Sequence, residues 1–277
     1  MKKSISIWSF QNKTLEESMD LAKKAGYEGI ELALDETGRT GLTATPEDLA
    51  KIKAYAEKTG LALPSVATGL YWSYPFTSND ETVREKAVEI AEKQLEMAKA
   101  LGADTILIVP GAVDIPWVDN FDAIPYDIAY ERALTGFNRI KSKAEALKIH
   151  VGIENVWNQF LLSPLEMRDF VDKINSPYVG VYFDVGNVVA TGRPEHWIKI
   201  LGSRIRKVHF KDYKRSVGTL SGFVDLLAGD VDWPAVTAAF KEIGYDDWAT
   251  AEMIPAYTHY PEQIIYNTCE AMKQILK

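Results

Sequence analysis

The chain has 277 residues, 47% of them hydrophobic and 25% charged, and a formal net charge of −8. This is the composition of a globular protein with one large core or two smaller ones. The negative charge argues against broad binding to nucleic acid or to an anionic membrane. A single cysteine, Cys269, excludes an internal disulfide and provides no cluster of thiol ligands.

The cellular location expected from the sequence is the cytoplasm. The lone cysteine is typical of a reducing compartment. The N-terminal stretch "MKKSISIWSF" has basic residues before a short apolar run, but no small-residue cleavage pattern follows it. No segment reaches the roughly 18 consecutive apolar residues that a membrane span needs. We therefore expect small molecules or other proteins as partners, with neither nucleic acid nor a membrane among them.

Short apolar or β-branched runs alternate with longer helical patterns along the whole chain. Eight runs are predicted as strands: "SISIW", "GIELAL", "LALPSV", "DTILIV", "HVGIEN", "VGVYFD", "IRKVHF" and "WATAEM". Such alternation predicts a parallel sheet. Eight units of about 35 residues each favour a closed (β/α)8 TIM barrel over an open sheet, and no GxGxxG turn follows any strand. We predict one domain, residues 1–277.

The helices between these strands carry start and stop signals. Thr14 with Glu17 and Ser163 with Glu166 fit the capping box, and a proline occupies the first turn of two helices. Several helices end on a glycine that leads into the next strand, as in "KKAGYEGIEL" and "KALGADTILI". The two long loops after the third and fourth strands are rich in aromatic residues and proline. Both follow strand ends, where a barrel of this kind builds its site.

The last four predicted strands each end in a side chain that can bind a metal ion: Glu154, Asp184, His209 and Glu252. In a TIM barrel these ends meet at one face. Three carboxylates buried together without a cation would repel one another at a cost of several kcal/mol. The pattern therefore predicts one divalent ion, with Mn²⁺, Mg²⁺, Co²⁺ or Zn²⁺ as candidates and carboxylate ligands favouring the harder ions.

Four segments resemble a known family: "GIEN", "FDVGN", "VHFKD" and "IGYDDWATAEM". The family is the sugar phosphate isomerase and epimerase superfamily with xylose-isomerase-like barrels. The resemblance extends over nearly the whole chain and is greatest to the ketose 3-epimerases and ketose-phosphate 3-epimerases. The resemblance implies one bound Mn²⁺, Co²⁺ or Mg²⁺. It also implies that Glu154 and Glu252 are catalytic acid/bases as well as ligands. Related enzymes are often dimers or tetramers, which implies a homo-oligomer.

The predicted site suits proton abstraction next to a ketone. A cation chelated by the carbonyl and a neighbouring hydroxyl stabilises an enediolate. Glu154 and Glu252 lie three strands apart in an eight-strand ring, so they can approach the substrate from different sides and invert C3. The four ligands do not exclude an aldose–ketose isomerase, a sugar-acid dehydratase with the same ligands, or a non-catalytic barrel. An abasic-site endonuclease would need more histidines than four and a basic groove.

Five further residues are predicted to contact the substrate, which is a sugar or a sugar phosphate: Trp8, Trp117, Asn187, Lys211 and Arg215. Similar free-ketose 3-epimerases carry a Glu and a His where this chain has Phe160 and Asn187, and only their Arg is matched, by Arg215. The segment "KDYKR" after the seventh strand is a candidate phosphate pocket, although a solvated basic loop remains the alternative. The tryptophans would form pocket walls.

Overall fold

Eight parallel strands close into a barrel in the computed structural model, which describes residues 1–277. The barrel strands are β1 Lys2–Ser6, β2 Gly29–Ala33, β3 Ser65–Ala67, β4 Thr105–Ile108, β5 His150–Glu154, β6 Val179–Asp184, β7 Ile205–Phe210 and β10 Trp248–Ala251. Each strand pairs with its neighbours in chain order, and β1 closes the ring against β10 with Ile5 opposite Ala251. The predicted (β/α)8 barrel is confirmed.

Eight α-helices surround the barrel, one after each barrel strand. They are α1 Leu15–Ala25, α2 Pro46–Thr59, α3 Glu81–Leu101, α4 Tyr126–Leu147, α5 Pro164–Ile174, α6 Pro194–Leu201, α7 Trp233–Glu242 and α8 Gln263–Ile275. Their buried faces join the strands in one hydrophobic core of 74 residues, so the chain has a single core. No helix combines the length and the apolar character needed to cross a lipid bilayer.

The helix caps follow the sequence signals with one exception. Thr14 and Glu17 form the full capping box that starts α1. Ser163 caps α5 by accepting from the Glu166 backbone N–H, but the Glu166 carboxylate does not complete the box. It accepts instead from the Leu162 backbone N–H and the Tyr126 hydroxyl. The capping-box prediction for α5 is therefore confirmed for the Ser163 side chain and wrong for the Glu166 side chain, which bonds Tyr126 and Leu162 instead of Ser163.

Two short strands were not predicted. β8 (Asp212–Tyr213) and β9 (Phe223–Val224) pair antiparallel outside the barrel, in the connection from β7 to α7. The buried Asp212 carboxylate holds this connection, since it accepts from the backbone N–H groups of Tyr213, Leu227 and Val231 and from the Trp233 indole. These contacts shape the loop beside the end of β7.

Two ion pairs of Lys207 lie at the N-terminal end of the barrel. Lys207 lies two residues before His209 on β7, so both side chains point to the same face of the strand. The Lys207 side chain is only 2% exposed, and its ammonium lies 2.8 Å from Asp104 and in contact with Asp247. The opposite, C-terminal end of the barrel is where the polar strand ends lie.

We expect Gly26→Ala to lower the free energy of unfolding by about 1–2 kcal/mol, because Gly26 ends α1 at φ +100° and an L side chain is strained there. Gly69→Ala is the matched control, since Gly69 has φ −86° and open space around its Cα. It should leave stability unchanged or slightly raised. Urea unfolding measures both, and equal effects of the two substitutions would contradict the backbone explanation.

Candidate metal centre

Four side chains from consecutive barrel strands meet at the C-terminal end of the barrel. Glu154 ends β5, Asp184 ends β6, His209 lies on β7, and Glu252 directly follows β10. All four are buried, and one potential ligand atom from each lies within 4.8 Å of the others. The convergence that the strand-end pattern predicted is therefore present, and the set of donor atoms is three carboxylate oxygens and one imidazole nitrogen.

The imidazole of His209 faces the three carboxylates through one nitrogen. His209 Nδ1 lies 3.3 Å from Glu154 Oε1 and 3.2 Å from Glu252 Oε2. It lies 4.0 Å from Asp184 Oδ2. His209 Nδ1 and one oxygen of each carboxylate thus lie around a common centre, which is the arrangement that a small cation requires.

Two asparagines fix the position of Asp184. The Asn155 side chain donates to the Asp184 carbonyl at 2.8 Å and accepts from the Asp184 backbone N–H at 2.9 Å. The Asn187 backbone N–H donates to Asp184 Oδ1 at 2.8 Å, and the Asn187 amide donates to the Asn155 carbonyl at 2.9 Å. One carboxylate oxygen of Asp184 is therefore held by a backbone N–H, and the other lies between the Lys211 ammonium and His209 Nδ1.

Lys211 is the nearest basic group to these carboxylates. Its ammonium lies 3.2 Å from Asp184 Oδ2 and 2.5 Å from Glu252 Oε2. Neither oxygen accepts a well-directed hydrogen bond, although both are buried. Buried carboxylate oxygens without such a partner are costly. Together with the hard, oxygen-rich donor set, they fit a divalent cation bound by Glu154, Asp184, His209 and Glu252.

The two glutamates have opposite pKa shifts. Burial raises the pKa of Glu154 to about 7, although the His209 imidazole opposes the shift. Burial acts in the same direction on Glu252, but the Lys211 ammonium and His209 outweigh it and hold the pKa of Glu252 well below its ordinary value. The difference between the two carboxyl groups follows from the Lys211 ammonium, which contacts Glu252 and not Glu154.

A cavity of about 450 Å³ lies next to the centre. Its walls include Lys211 and Glu252 from the centre, Phe223 and Asp225 from the β7–α7 connection, and Tyr257 and His259 from the loop after β10. This volume is within the range of small-ligand sites. Glu252 therefore lies between the cluster of ligand-type residues and a space that admits a small molecule.

The predicted substrate contacts are only partly near this cavity. Lys211 lines it, whereas Asn187 lines a separate cavity of about 290 Å³. Arg215 is exposed, and its guanidinium donates to the Val189 and Gly192 carbonyls. Trp8 lies half-buried in the turn after β1, and Trp117 packs against Trp72 with ring centroids 5.1 Å apart. Substrate contact by all five residues stays a prediction.

One buried acid of the site was missed at the sequence level. Glu31 on β2 is fully buried, and its Oε1 lies 2.8 Å from His209 Nε2, the imidazole nitrogen that faces away from the three carboxylates. The only sequence signal was an acidic residue within the apolar run "GIELAL". Its contact with a residue 178 positions later depends on barrel closure, which a strand pattern does not reveal.

We expect Asn155→Ala to lower the free energy of unfolding by about 2 kcal/mol or more, because it removes the partners of a buried N–H and a buried carbonyl of Asp184. Asn138→Ala is the control, since Asn138 is exposed on α4. It should change stability by less than about 0.5 kcal/mol. Chemical denaturation measures both, and a neutral Asn155→Ala would show that Asp184 does not depend on this support.

Comparison with known proteins places the chain in a family. Residues 19–275 match the sequence profile of the xylose isomerase-like TIM barrel family. An Escherichia coli (strain K12) protein provisionally named L-ribulose-5-phosphate 3-epimerase SgbU is 28% identical over 83% of this chain and 80% of its own. L-ribulose-5-phosphate 3-epimerase UlaE of Salmonella paratyphi C is 25% identical over 83% of this chain and 78% of its own.

Solved structures share the same fold. The crystal structure of a D-tagatose 3-epimerase-like protein superposes with a TM-score of 0.82 at 21% identity, covering 100% of this chain and 97% of the other. A D-psicose 3-epimerase crystallised in the presence of D-fructose gives a TM-score of 0.79 at 20% identity, with the same coverage. With the profile match over residues 19–275, the chain belongs to the xylose isomerase-like TIM barrel family.

Proposed function

We propose that this protein is a divalent-metal-dependent epimerase that inverts C3 of a ketose or ketose phosphate. The observation that carries the proposal is the pair of glutamates at the centre, Glu154 and Glu252, each within about 3.3 Å of the same imidazole nitrogen. They come from strands separated by β6 and β7 in the ring. Two carboxylates on different sides of one centre suit a reaction in which a proton leaves one face of a carbon and returns to the other.

The residues would divide the reaction as follows. Glu154 and Glu252 serve as the two acid/bases: one accepts the C3 proton of the sugar, and the other donates a proton to the opposite face of the planar carbanion. The oxidation state of the sugar does not change, and no co-substrate is consumed. A bound divalent ion supplies electrostatic stabilisation of the negative charge on the substrate oxygens. Asp184 and His209 remain ligands and hold the centre in place.

An aldose–ketose isomerase would move a proton between C1 and C2 on one face of the sugar, and a single base is sufficient for that. Glu154 and Glu252 come from strands separated by β6 and β7, so the centre offers the two proton carriers that inversion needs. We therefore place epimerisation first. The names of the relatives agree with this choice, since both sequence relatives are named as 3-epimerases.

The substrate that we propose first is a pentulose 5-phosphate. Its support comes from the two relatives named for L-ribulose 5-phosphate and from the basic residue Lys211, which lines the cavity. Free ketoses form the second class to test, because the structural neighbours are named for D-tagatose and D-psicose. The reaction at C3 is the same in both classes.

We propose Mn²⁺ as the ion, because three of the four candidate ligands are carboxylates and Mn²⁺ accepts both carboxylate and imidazole ligands. Co²⁺, Mg²⁺ and Zn²⁺ are the alternatives. A cytoplasmic location and a homodimer or homotetramer stay predictions from the sequence and from the family resemblance. Gel filtration of the purified protein tests the oligomeric state.

We expect saturating Mn²⁺ to raise the melting temperature of the metal-stripped protein by about 5–10 °C, as binding to the folded state alone stabilises it by mass action. Asp184→Asn should abolish this rise while its metal-free form melts no lower than the parent, because one of three crowded carboxylates becomes neutral. His196→Gln, on the exposed surface of α6, should keep the full rise. A full rise in Asp184→Asn would exclude Asp184 as a ligand.

We expect the Mn²⁺ enzyme in D₂O to convert L-ribulose 5-phosphate to its C3 epimer with one deuterium at C3, read by mass spectrometry and NMR. At saturating Mn²⁺, Glu154→Gln and Glu252→Gln should each lower kcat for epimerisation by about 10²–10⁴-fold. Each variant should still exchange the C3 proton of one epimer, and the two variants should differ in which epimer that is.

Two outcomes would contradict this account. Deuterium at C1 or C2 with an aldose product would assign an aldose–ketose isomerase. No exchange with any of a panel of free and phosphorylated pentuloses and hexuloses would count against a ketose substrate altogether. His196→Gln again serves as the control and should retain parental activity, since this side chain lies 68% exposed on α6.

A further inference from the structure

Glu31 lies inside the barrel on the far side of His209 from the three carboxylates. It belongs to β2, and its side chain is fully buried. Strand β2 neighbours β1 and β3, so Glu31 must reach across the barrel to contact β7. An acidic residue this deep in a barrel is costly unless its charge is compensated by hydrogen bonds or by a cation.

The Glu31 carboxylate receives hydrogen bonds from three other strands. Its Oε2 accepts from the Tyr182 hydroxyl at 2.5 Å and from the Ser65 hydroxyl at 2.6 Å. Its Oε1 lies 2.8 Å from His209 Nε2. The Tyr182 ring also packs edge-on against the imidazole, with centroids 4.6 Å apart. Both hydroxyl groups are directed at Oε2, which leaves Oε1 as the acceptor for a proton on Nε2.

We propose that Glu31 is the positioning residue of the metal centre: it holds the proton of His209 on Nε2 and thereby directs the Nδ1 lone pair toward the divalent cation. This inference rests on the proposed function, because it requires a metal bound by His209 and the three carboxylates. A histidine ligand whose second nitrogen donates to a carboxylate has a fixed ring orientation and tautomer, and it is a more basic ligand.

Glu31 also adds a negative charge that the cation experiences. The carboxylates of Glu31, Glu154, Asp184 and Glu252 surround the imidazole, and the nearby ammonium of Lys211 contacts only Asp184 and Glu252. Glu31 is beyond the ring of ligands, so it increases the attraction for a divalent ion without occupying a coordination position. Its neutral replacement should therefore weaken metal binding while it leaves the three carboxylate ligands unchanged.

The test compares Mn²⁺ affinity of the metal-stripped parent and of Glu31→Gln, by the EPR signal of free Mn²⁺. Glutamine keeps the size of the side chain and removes its charge. We expect 10- to 100-fold weaker binding, the usual loss for such partners of ligands. Ser65→Ala is the matched control, since it removes one donor to Glu31 and keeps the contact with His209. The loss of Mn²⁺ affinity in Ser65→Ala should be clearly smaller than in Glu31→Gln.

The outcomes separate this inference from the proposed function. If the parent binds no Mn²⁺, the metal centre fails and the role of Glu31 fails with it. If the parent binds Mn²⁺ and a folded Glu31→Gln binds it equally well, only the role of Glu31 is overturned. Circular dichroism of each variant verifies the fold.

A second measurement covers the case in which Glu31→Gln does not fold. Nitrogen NMR of the parent protein, labelled at histidine and loaded with diamagnetic Zn²⁺, locates the His209 proton directly. We expect a proton on Nε2 and none on Nδ1. A proton on Nδ1, or a metal on Nε2, would overturn the proposal without any variant.

Discussion

The structure depends on the burial of three carboxylates around one imidazole nitrogen. Glu154, Asp184 and Glu252 are buried at the end of the barrel within 4.8 Å of one another and of His209. Like charges this close repel strongly where water is excluded. The Lys211 ammonium contacts two of the three, Asn155 holds the Asp184 backbone, and the Asn187 N–H donates to the Asp184 carboxylate. A divalent ion would balance the remaining charge, which supports the proposal that these four side chains bind a metal.

The barrel places its buried charged groups at two separate ends. At the N-terminal end, Lys207 forms ion pairs with Asp104 and Asp247. At the C-terminal end, consecutive strands deliver the four ligand-type groups beside an open cavity. Between them the interior carries Glu31, whose hydrogen bonds connect β2, β3 and β6 to the histidine on β7. Hydrogen bonds inside the barrel therefore hold His209 in position on the side away from the cavity.

Much of this was predictable because the barrel repeats. The alternation of strands and helices predicted the closed fold, and the polar residue ending each of the last four strands identified Glu154, Asp184, His209 and Glu252 as neighbours. The sequence pattern did not identify the two buried acids whose contacts depend on how distant segments pack. Glu31 reaches across the barrel, and Asp212 organises a hairpin of two-residue strands that is too short for any periodic signal. Lys211 was predicted from a basic segment, but its pairing with Asp184 and Glu252 requires the folded loop.

Anomalous diffraction tests the central claim most directly. Crystals grown with Mn²⁺ and measured on both sides of the manganese absorption edge should show one strong difference peak at the C-terminal end of the barrel. The account predicts that peak within coordination distance of Glu154, Asp184, His209 Nδ1 and Glu252. A fully loaded crystal with no peak there, or with the peak at another site, would contradict it.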